Sequence, residues 1–161
     1  MSLIRVSTYY IEPGYVYFSR QPATLRTVVG SCVAVCLYDR VLTMGGMNHY
    51  LKPKVHDKGK ATPTFGNVAI PALLRMMEKA GSRRRDIVAQ ILGGSTPEEA
   101  THPGIGEQNV TVARQVLARH GIRVIGEDTG GSIGRKIIFD TGTGEIAVLR
   151  VQKLRSSDWH G

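Results

Sequence analysis

The segment from Thr27 to Pro53, TVVGSCVAVCLYDRVLTMGGMNHYLKP, constrains this chain more than any other. A small-residue turn, Gly30-Ser31, delivers Cys32 at the head of an apolar run, and the chain returns through Gly45-Gly46 to His49. The run Val33 to Tyr38 is β-branched enough for a buried strand, with a short helix as the alternative, and Met47 to Leu51 is its expected partner. A hairpin turning at Arg40-Val41 sets Cys32 directly across from His49, with Cβ atoms about 5 Å apart. A slip of one residue would turn one of the two to the other face. Paired glycines before His49 let a neighbouring backbone come close.

That pairing points to thiol chemistry. A thiol becomes a nucleophile when a base takes its proton, and histidine is the usual base. The Gly30-Ser31 turn aims backbone N–H groups outward, where they can hold an oxyanion. The bland alternatives are a cysteine buried as a small core hydrophobe and a histidine satisfied by a single hydrogen bond. Cys36, between Val35 and Leu37, reads as core.

Length and composition bound the rest. A chain of 161 residues with 42% hydrophobic and 21% charged residues is one domain, 1–161, with enough material for a core. Arg5, Glu12 and Pro13 interrupt the opening apolar stretch, so neither a signal peptide nor a membrane span is expected there, and a cytoplasmic protein without membrane insertion is. Four residues of strand put Cys32 and Cys36 roughly 13 Å apart, too far for a disulfide, so both are expected to be reduced thiols. The net charge of +8 favours an acidic partner, although the densest run, Arg83-Arg84-Arg85, reads equally as a solvated surface after a helix.

Along the chain, residues 5–10, 15–19, 24–29 and 86–92 read as strands, and 122–126, 135–140 and 145–151 follow late in the sequence. Asn67 is the expected cap of a helix running to about Ala80, with Pro71 in its first turn and Gly81 as its stop. A second helix is expected from about Glu107 to His120. The loop from Lys52 to Thr64 is basic and reads as an exposed flap, Thr141-Gly142-Thr143-Gly144 as a hairpin turn, and the tail from 155 to 161 as mobile. Strands outnumber helices more than threefold, which argues α+β with mixed or antiparallel sheets and helices packed outside.

Two other constellations carry less. Cys32, Cys36 and His49 supply only three metal ligands at no familiar spacing, so no metal is expected. Gly131-Ser132-Ile133-Gly134 has the GXXG pattern of an RNA-clamping loop, with Arg135-Lys136 behind it. In a chain with 19 glycines and only 6% aromatic residues, a turn into a strand explains it better, and no nucleic acid is expected.

With these residues in view, the chain resembles the CheD family of chemoreceptor glutamine deamidases. The matching segments are GSCVAVCLYD (30–39), GGMNHYLKP (45–53), VAIPALL (68–74), LGGS (92–95), IGEQNV (105–110) and EDTGGSIGRKIIFDTGTGEI (127–146). The resemblance implies a layered α/β/β/α fold with mixed sheets, like the toxin-type cysteine deamidases. It also implies that Cys32 and His49 are the catalytic pair, that Gly30 and Ser31 shape the oxyanion turn, and that no cofactor is needed. Similar proteins convert glutamines on the cytoplasmic helices of methyl-accepting chemotaxis receptors to glutamate, some hydrolyse glutamyl methyl esters, and several bind the phosphatase CheC.

Two positions depart from the family pattern. A threonine that orients the histidine is expected six residues before the cysteine, where Arg26 stands. Thr27 lies five before, on the opposite face of a regular strand, so it is expected to serve only if the strand is bulged; Thr24 is the weaker alternative. After Gly94, Ser95-Thr96-Pro97 replace the expected residues. The reading is therefore a protein-glutamine deamidase with Cys32, His49 and Thr27 as its catalytic set. The alternative, kept open by Arg26, is a weakly catalytic adaptor that binds a CheC-type phosphatase and receptors.

Overall fold

A computed structural model describes residues 6–100 and 104–151. The expected mobile tail lies outside the described residues. Two sheets form. The smaller has β1 (Ser7–Tyr10), β3 (Ala23–Val29), β8 (Gly134–Asp140) and β9 (Ile146–Val151), in the order β1-β3-β8-β9. The larger has β2 (Val16–Ser19), β4 (Val33–Asp39), β5 (Met44–Asn48), β6 (Ile87–Gly93) and β7 (Arg123–Thr129), in the order β2-β5-β4-β6-β7. Each sheet is mixed: β1 runs parallel to β3 and β6 parallel to β7, while the other pairs are antiparallel.

Side-chain alternation stacks the sheets. Ala23, Leu25, Thr27 and Val29 of β3 are buried, while Arg26 between them is exposed. Period-2 burial of this kind belongs to a strand with one face on a core. In the larger sheet β4 is buried on both faces. Val33, Val35 and Leu37 meet α1 (Gly66–Lys79) and α2 (Ile105–Arg119), while Cys32, Ala34 and Cys36 meet Leu25, Val29, Ile137 and Phe139 of the smaller sheet. The fold is α+β with layered mixed sheets, as expected. Both helices lie on the outer face of the larger sheet, so the layers among the described residues run helices, five-stranded sheet, four-stranded sheet.

Several local expectations change. Phe65, not Asn67, is the N-cap of α1, and the Asn67 carboxamide instead pairs with both the N–H and the carbonyl of Val55, tying down the basic flap. Pro71 therefore sits inside the helix rather than in its first turn. The partner of β4 begins at Met44 rather than Met47. The hairpin over residues 141–144 forms as read, closed by Gly144 N–H on the Asp140 carbonyl at 2.8 Å. The GXXG segment turns into β8, which starts at Gly134.

The Gly45-Gly46 pair does what its composition suggests. A Cβ on Gly45 would lie 2.5 Å from the Leu37 carbonyl, and one on Gly46 would lie 2.4 Å from the Tyr17 carbonyl and 2.6 Å from Leu73 Cδ1. Strand β5 is thus squeezed between β4, β2 and α1, and only glycine fits. Gly46→Ala is expected to cost about 2 kcal/mol or more through overpacking against backbone, read as a lower urea midpoint at unchanged slope.

Candidate active site

The β4–β5 hairpin fixes where the thiol and the imidazole stand. Cys36 pairs with Met47, and the ladder resumes with an isolated bridge between Val33 and Tyr50. Relative to the expected register this is a shift of two residues, so Cys32 and His49 are diagonal rather than directly opposed. The cause is the turn. Asp39 accepts the N–H groups of Val41 and Leu42 on Oδ1, its carbonyl accepts Thr43 N–H, and Thr43 takes a left-handed φ of 52°. The loop accordingly spans Arg40 to Thr43 instead of turning at Arg40-Val41. An even shift preserves the face, so both side chains still point between the sheets, with Cβ atoms on the order of 7 Å apart for a diagonal pair.

Between Cys36–Met47 and Val33–Tyr50 the ladder opens, and the Asn48 side chain fills it by accepting Val35 N–H on Oδ1 at 2.9 Å. His49 is then held from the other side: its N–H donates to the Tyr15 carbonyl (3.1 Å) and its carbonyl accepts Gly14 N–H (2.7 Å). The Glu12-Pro13-Gly14 turn thereby holds the histidine backbone against the edge strand β2.

Thr27 supplies the orienting bond. Its Oγ1 lies 2.7 Å from His49 Nδ1 and donates to the Ile11 carbonyl at 2.8 Å. A hydroxyl has one proton and a carbonyl can only accept. Thr27 must therefore accept from Nδ1–H, which leaves Nε2 of the neutral ring with its lone pair. Strand β3 is unbroken here, pairing residue by residue with β8 from Thr24 to Val29. The bulge expected for Thr27 is thus unnecessary: Arg26 faces solvent, and Thr27 lies on the inner face. Thr24 is not on that face.

The turn over Gly30, Ser31 and Cys32 is anchored through all three of its carbonyls. Gly30 O accepts Ser95 N–H, Ser31 O accepts Asn109 Nδ2 and Cys32 O accepts Gly94 N–H, each at 2.9 Å. In a trans peptide the N–H points opposite to the carbonyl, so anchoring the Ser31 carbonyl turns the Cys32 N–H away from α2. That N–H lies against the Cys32 sulfur, where it favours the thiolate.

Burial dominates the electrostatics. Cys32 is 1% exposed and His49 is fully enclosed. Burial pushes the Cys32 thiol up to about 12, against the smaller pull of its own N–H. It draws the His49 imidazole down to about 4, partly offset by the Ile11 carbonyl. Thiol and imidazole are therefore both neutral at rest. His49 Nε2 is buried without a hydrogen-bond partner among the described residues, so the expected thiol–imidazole bond is not made in this enclosed form. Cys36 is buried in the inter-sheet core, and its thiol is pushed up still further.

Support comes from residues to which the sequence reading assigned no part in the site. Ser95 donates to the Ile133 carbonyl and accepts from Arg135 Nη1 at 2.7 Å; Arg135 in turn binds Asp128 Oδ1 at 2.9 Å and the Gly130 carbonyl at 3.0 Å. This buried arginine locks the loop that carries Gly94 and Ser95. Its signal was present: Arg135, Ile137 and Phe139 alternate on the inner face of β8. Asn109 is a second such residue, one helical turn from Gly106 on the buried face of α2.

A layered α+β protein whose two sheets meet at a thiol and a hydroxyl-oriented imidazole is the class that this fold and site define. The chain belongs to the CheD family: the family model described as CheD chemotactic sensory transduction matches residues 50–150. Relatives named "Probable chemoreceptor glutamine deamidase CheD" include one from Sulfurimonas denitrificans, 40% identical over 89% of this chain and 94% of that protein. Another, from Trichlorobacter lovleyi, is 38% identical over 90% of this chain and 91% of that protein. The solved structure of the hypothetical protein YfiH of Bacillus licheniformis aligns with 73% of this chain and 51% of that one, at TM-score 0.49 and 19% identity.

Two outcomes follow from the geometry. The unfolded state protonates His49 near 6.5, whereas the folded state keeps it neutral down to about 4. Stability is therefore full above pH 6.5 and falls as pH drops towards 4, by about 3 kcal/mol from this group. His49→Gln should flatten that part of a chemical-denaturation profile against pH. Gly93 has a φ of 112°, and a Cβ there would stand 2.4 Å from the Cys32 carbonyl. Gly93→Ala should cost upwards of about 2 kcal/mol and shift the turn that carries Cys32, visible as altered amide chemical shifts at Cys32.

Proposed function

We propose that this protein deamidates glutamines on chemoreceptors, with Cys32 as nucleophile, His49 as general base and acid, and Thr27 as the residue that orients His49. The observation that carries the reading is the Thr27–His49 bond, which leaves Nε2 unprotonated on the face that also bears Cys32. Family membership and the names of the relatives supply the substrate.

The chemistry runs as an acyl transfer. As the substrate carboxamide enters, Nε2 takes the Cys32 proton while Sγ bonds to the amide carbon. The neutral resting pair means that charge develops only as attack proceeds. The Cys32 N–H, with the Gly30-Ser31 turn, receives the oxyanion, at about 3 kcal/mol for a single donor. On collapse the C–N bond breaks, and imidazolium delivers its proton to the departing amide nitrogen, which leaves as ammonia. Water, deprotonated by Nε2, attacks the thioester; glutamate departs and the thiol regains its proton. The sum is glutamine plus water to glutamate plus ammonia. A glutamyl methyl ester presents the same carbonyl, so ester hydrolysis is a secondary activity of the same site.

The partners follow from this reading: the cytoplasmic helices of methyl-accepting receptors, a CheC-type phosphatase, and hence a cytoplasmic setting. No helix among the described residues is long and apolar enough to cross a membrane, in keeping with that setting. The +8 charge would steer the enzyme toward acidic receptor helices. The bond that Thr27 makes to His49, which Arg26 cannot make, supports this reading over the adaptor alternative.

Incubation of a receptor cytoplasmic fragment in heavy-oxygen water should convert specific glutamines to labelled glutamate with wild type and none with Cys32→Ala. Absence of conversion by folded wild type on a receptor that it binds would overturn the reading. Thr27→Val should lower kcat about a hundredfold or more through loss of the tautomer, whereas Thr27→Ser should retain most of the rate.

A further inference from the structure

Asn109 joins the two chain segments that carry the reacting groups. Its Nδ2 donates to the Ser31 carbonyl at 2.9 Å and to the Leu51 carbonyl at 3.0 Å. Ser31 immediately precedes the thiol, and Leu51 lies two residues beyond the imidazole, across from Cys32 in the observed register. The assignment of the carboxamide is fixed by its surroundings, since two carbonyls can be faced only by the NH2 end. The Tyr50 hydroxyl adds a third tie by donating to the Asn109 backbone carbonyl at 2.6 Å.

Glycines bring the helix close enough. A Cβ on Gly106 would lie 2.4 Å from the Ser95 carbonyl, and one on Gly94 would lie 2.7 Å from the Gly106 carbonyl. Helix α2 therefore rests directly on the loop that anchors Gly30 and Cys32, with Asn109 one turn further on. Asn109 is completely buried and its Oδ1 has no hydrogen-bond partner among the described residues. A buried amide with an unmade bond costs stability, on the order of 1–3 kcal/mol. An apolar side chain of similar size would avoid that cost but lose the clasp.

We propose that Asn109 is a positioning residue for the reaction, its carboxamide clasping the Ser31 and Leu51 carbonyls so that the Cys32 thiol and the His49 imidazole keep their relative placement. The inference rests on the thiol–imidazole reading of the site and adds to it a residue that touches neither reacting group.

The test uses the full chain. Deamidation kinetics on a receptor fragment are measured for wild type, Asn109→Ala and Asn109→Asp. In parallel, iodoacetamide alkylation of Cys32 is followed against pH, localised by tandem mass spectrometry apart from Cys36, with His49→Ala as control. Asn109→Ala should lower kcat about a hundredfold with KM within about twofold, the signature of misplaced reacting groups rather than weakened binding. Its alkylation profile should approach that of His49→Ala. Asn109→Asp keeps the shape but has a donor only when protonated, so its deficit should shrink as pH falls. His49 stays neutral over that range, and the buried neighbours Cys32 and Tyr50 keep their protons there, both pushed up by burial.

Rates are referred to the folded fraction taken from unfolding curves. Losses wholly accounted for by unfolding, or wild-type kcat and alkylation profiles in both variants, overturn the proposal. Wild-type alkylation that is itself indifferent to His49→Ala would instead sink the thiol–imidazole reading. The two failures are thereby told apart.

Discussion

A trans peptide cannot turn its carbonyl and its N–H to the same side, and the site depends on that constraint. Gly30, Ser31 and Cys32 each have their carbonyl claimed by a donor from the body of the protein: Ser95 N–H, Asn109 Nδ2 and Gly94 N–H. With those directions taken, geometry sets the orientation of the Cys32 amide and lays its N–H against the Cys32 sulfur. Everything beneath the turn serves the anchors. Gly93 and Gly94 take positive φ so that their loop can reach it, Gly106 lets α2 approach, and Arg135 fixes Ser95 through a network reaching Asp128 and Gly130. Such a buried cation is tolerable because each nitrogen of its guanidinium meets an acceptor.

The second constraint spans the sheets. Thr27 belongs to the four-stranded sheet and His49 follows β5 of the five-stranded one, so their bond is a polar tie inside a largely apolar interface. Its placement decides the tautomer, and burial decides the charge. Because the Thr27 proton is committed to Ile11, the ring has no alternative protonation in its neutral form. Thiol and imidazole both stay neutral in this apolar interior, because burial disfavours the charged form of each.

How much of this was legible from the residues differs by element. Period-2 and helical patterns place nearly all strands and both helices, because those patterns register burial, which the fold obeys. The face shared by Cys32 and His49 was legible for the same reason, parity being robust to an even shift. Their exact opposition was not, because it hinges on a turn in which the Asp39 carboxylate captures two amides and Thr43 goes left-handed. Counting residues cannot foresee a side chain that stabilises a longer loop. Thr27 shows the converse: position relative to Cys32 suggested the wrong face, yet Leu25 and Val29 on either side already marked it as inward. The count across the Gly30-Ser31 turn misled, since a turn breaks the parity that a strand preserves.

Polar residues on apolar faces were the information left unused. Asn109 falls in line with Gly106 and Ala113, and Arg135 in line with Ile137 and Phe139, all buried. Neither can be hidden without partners, so each announces a network whose other members the burial pattern does not name. For Arg135 those members lie on the neighbouring turn and the Ser95 loop; for Asn109 they are main-chain carbonyls 78 and 58 residues away. Main-chain acceptors leave no trace in side-chain identity. A clasp of this kind is therefore invisible to motif reading, even where the residue that makes it stands in plain view on the wrong side of a helix.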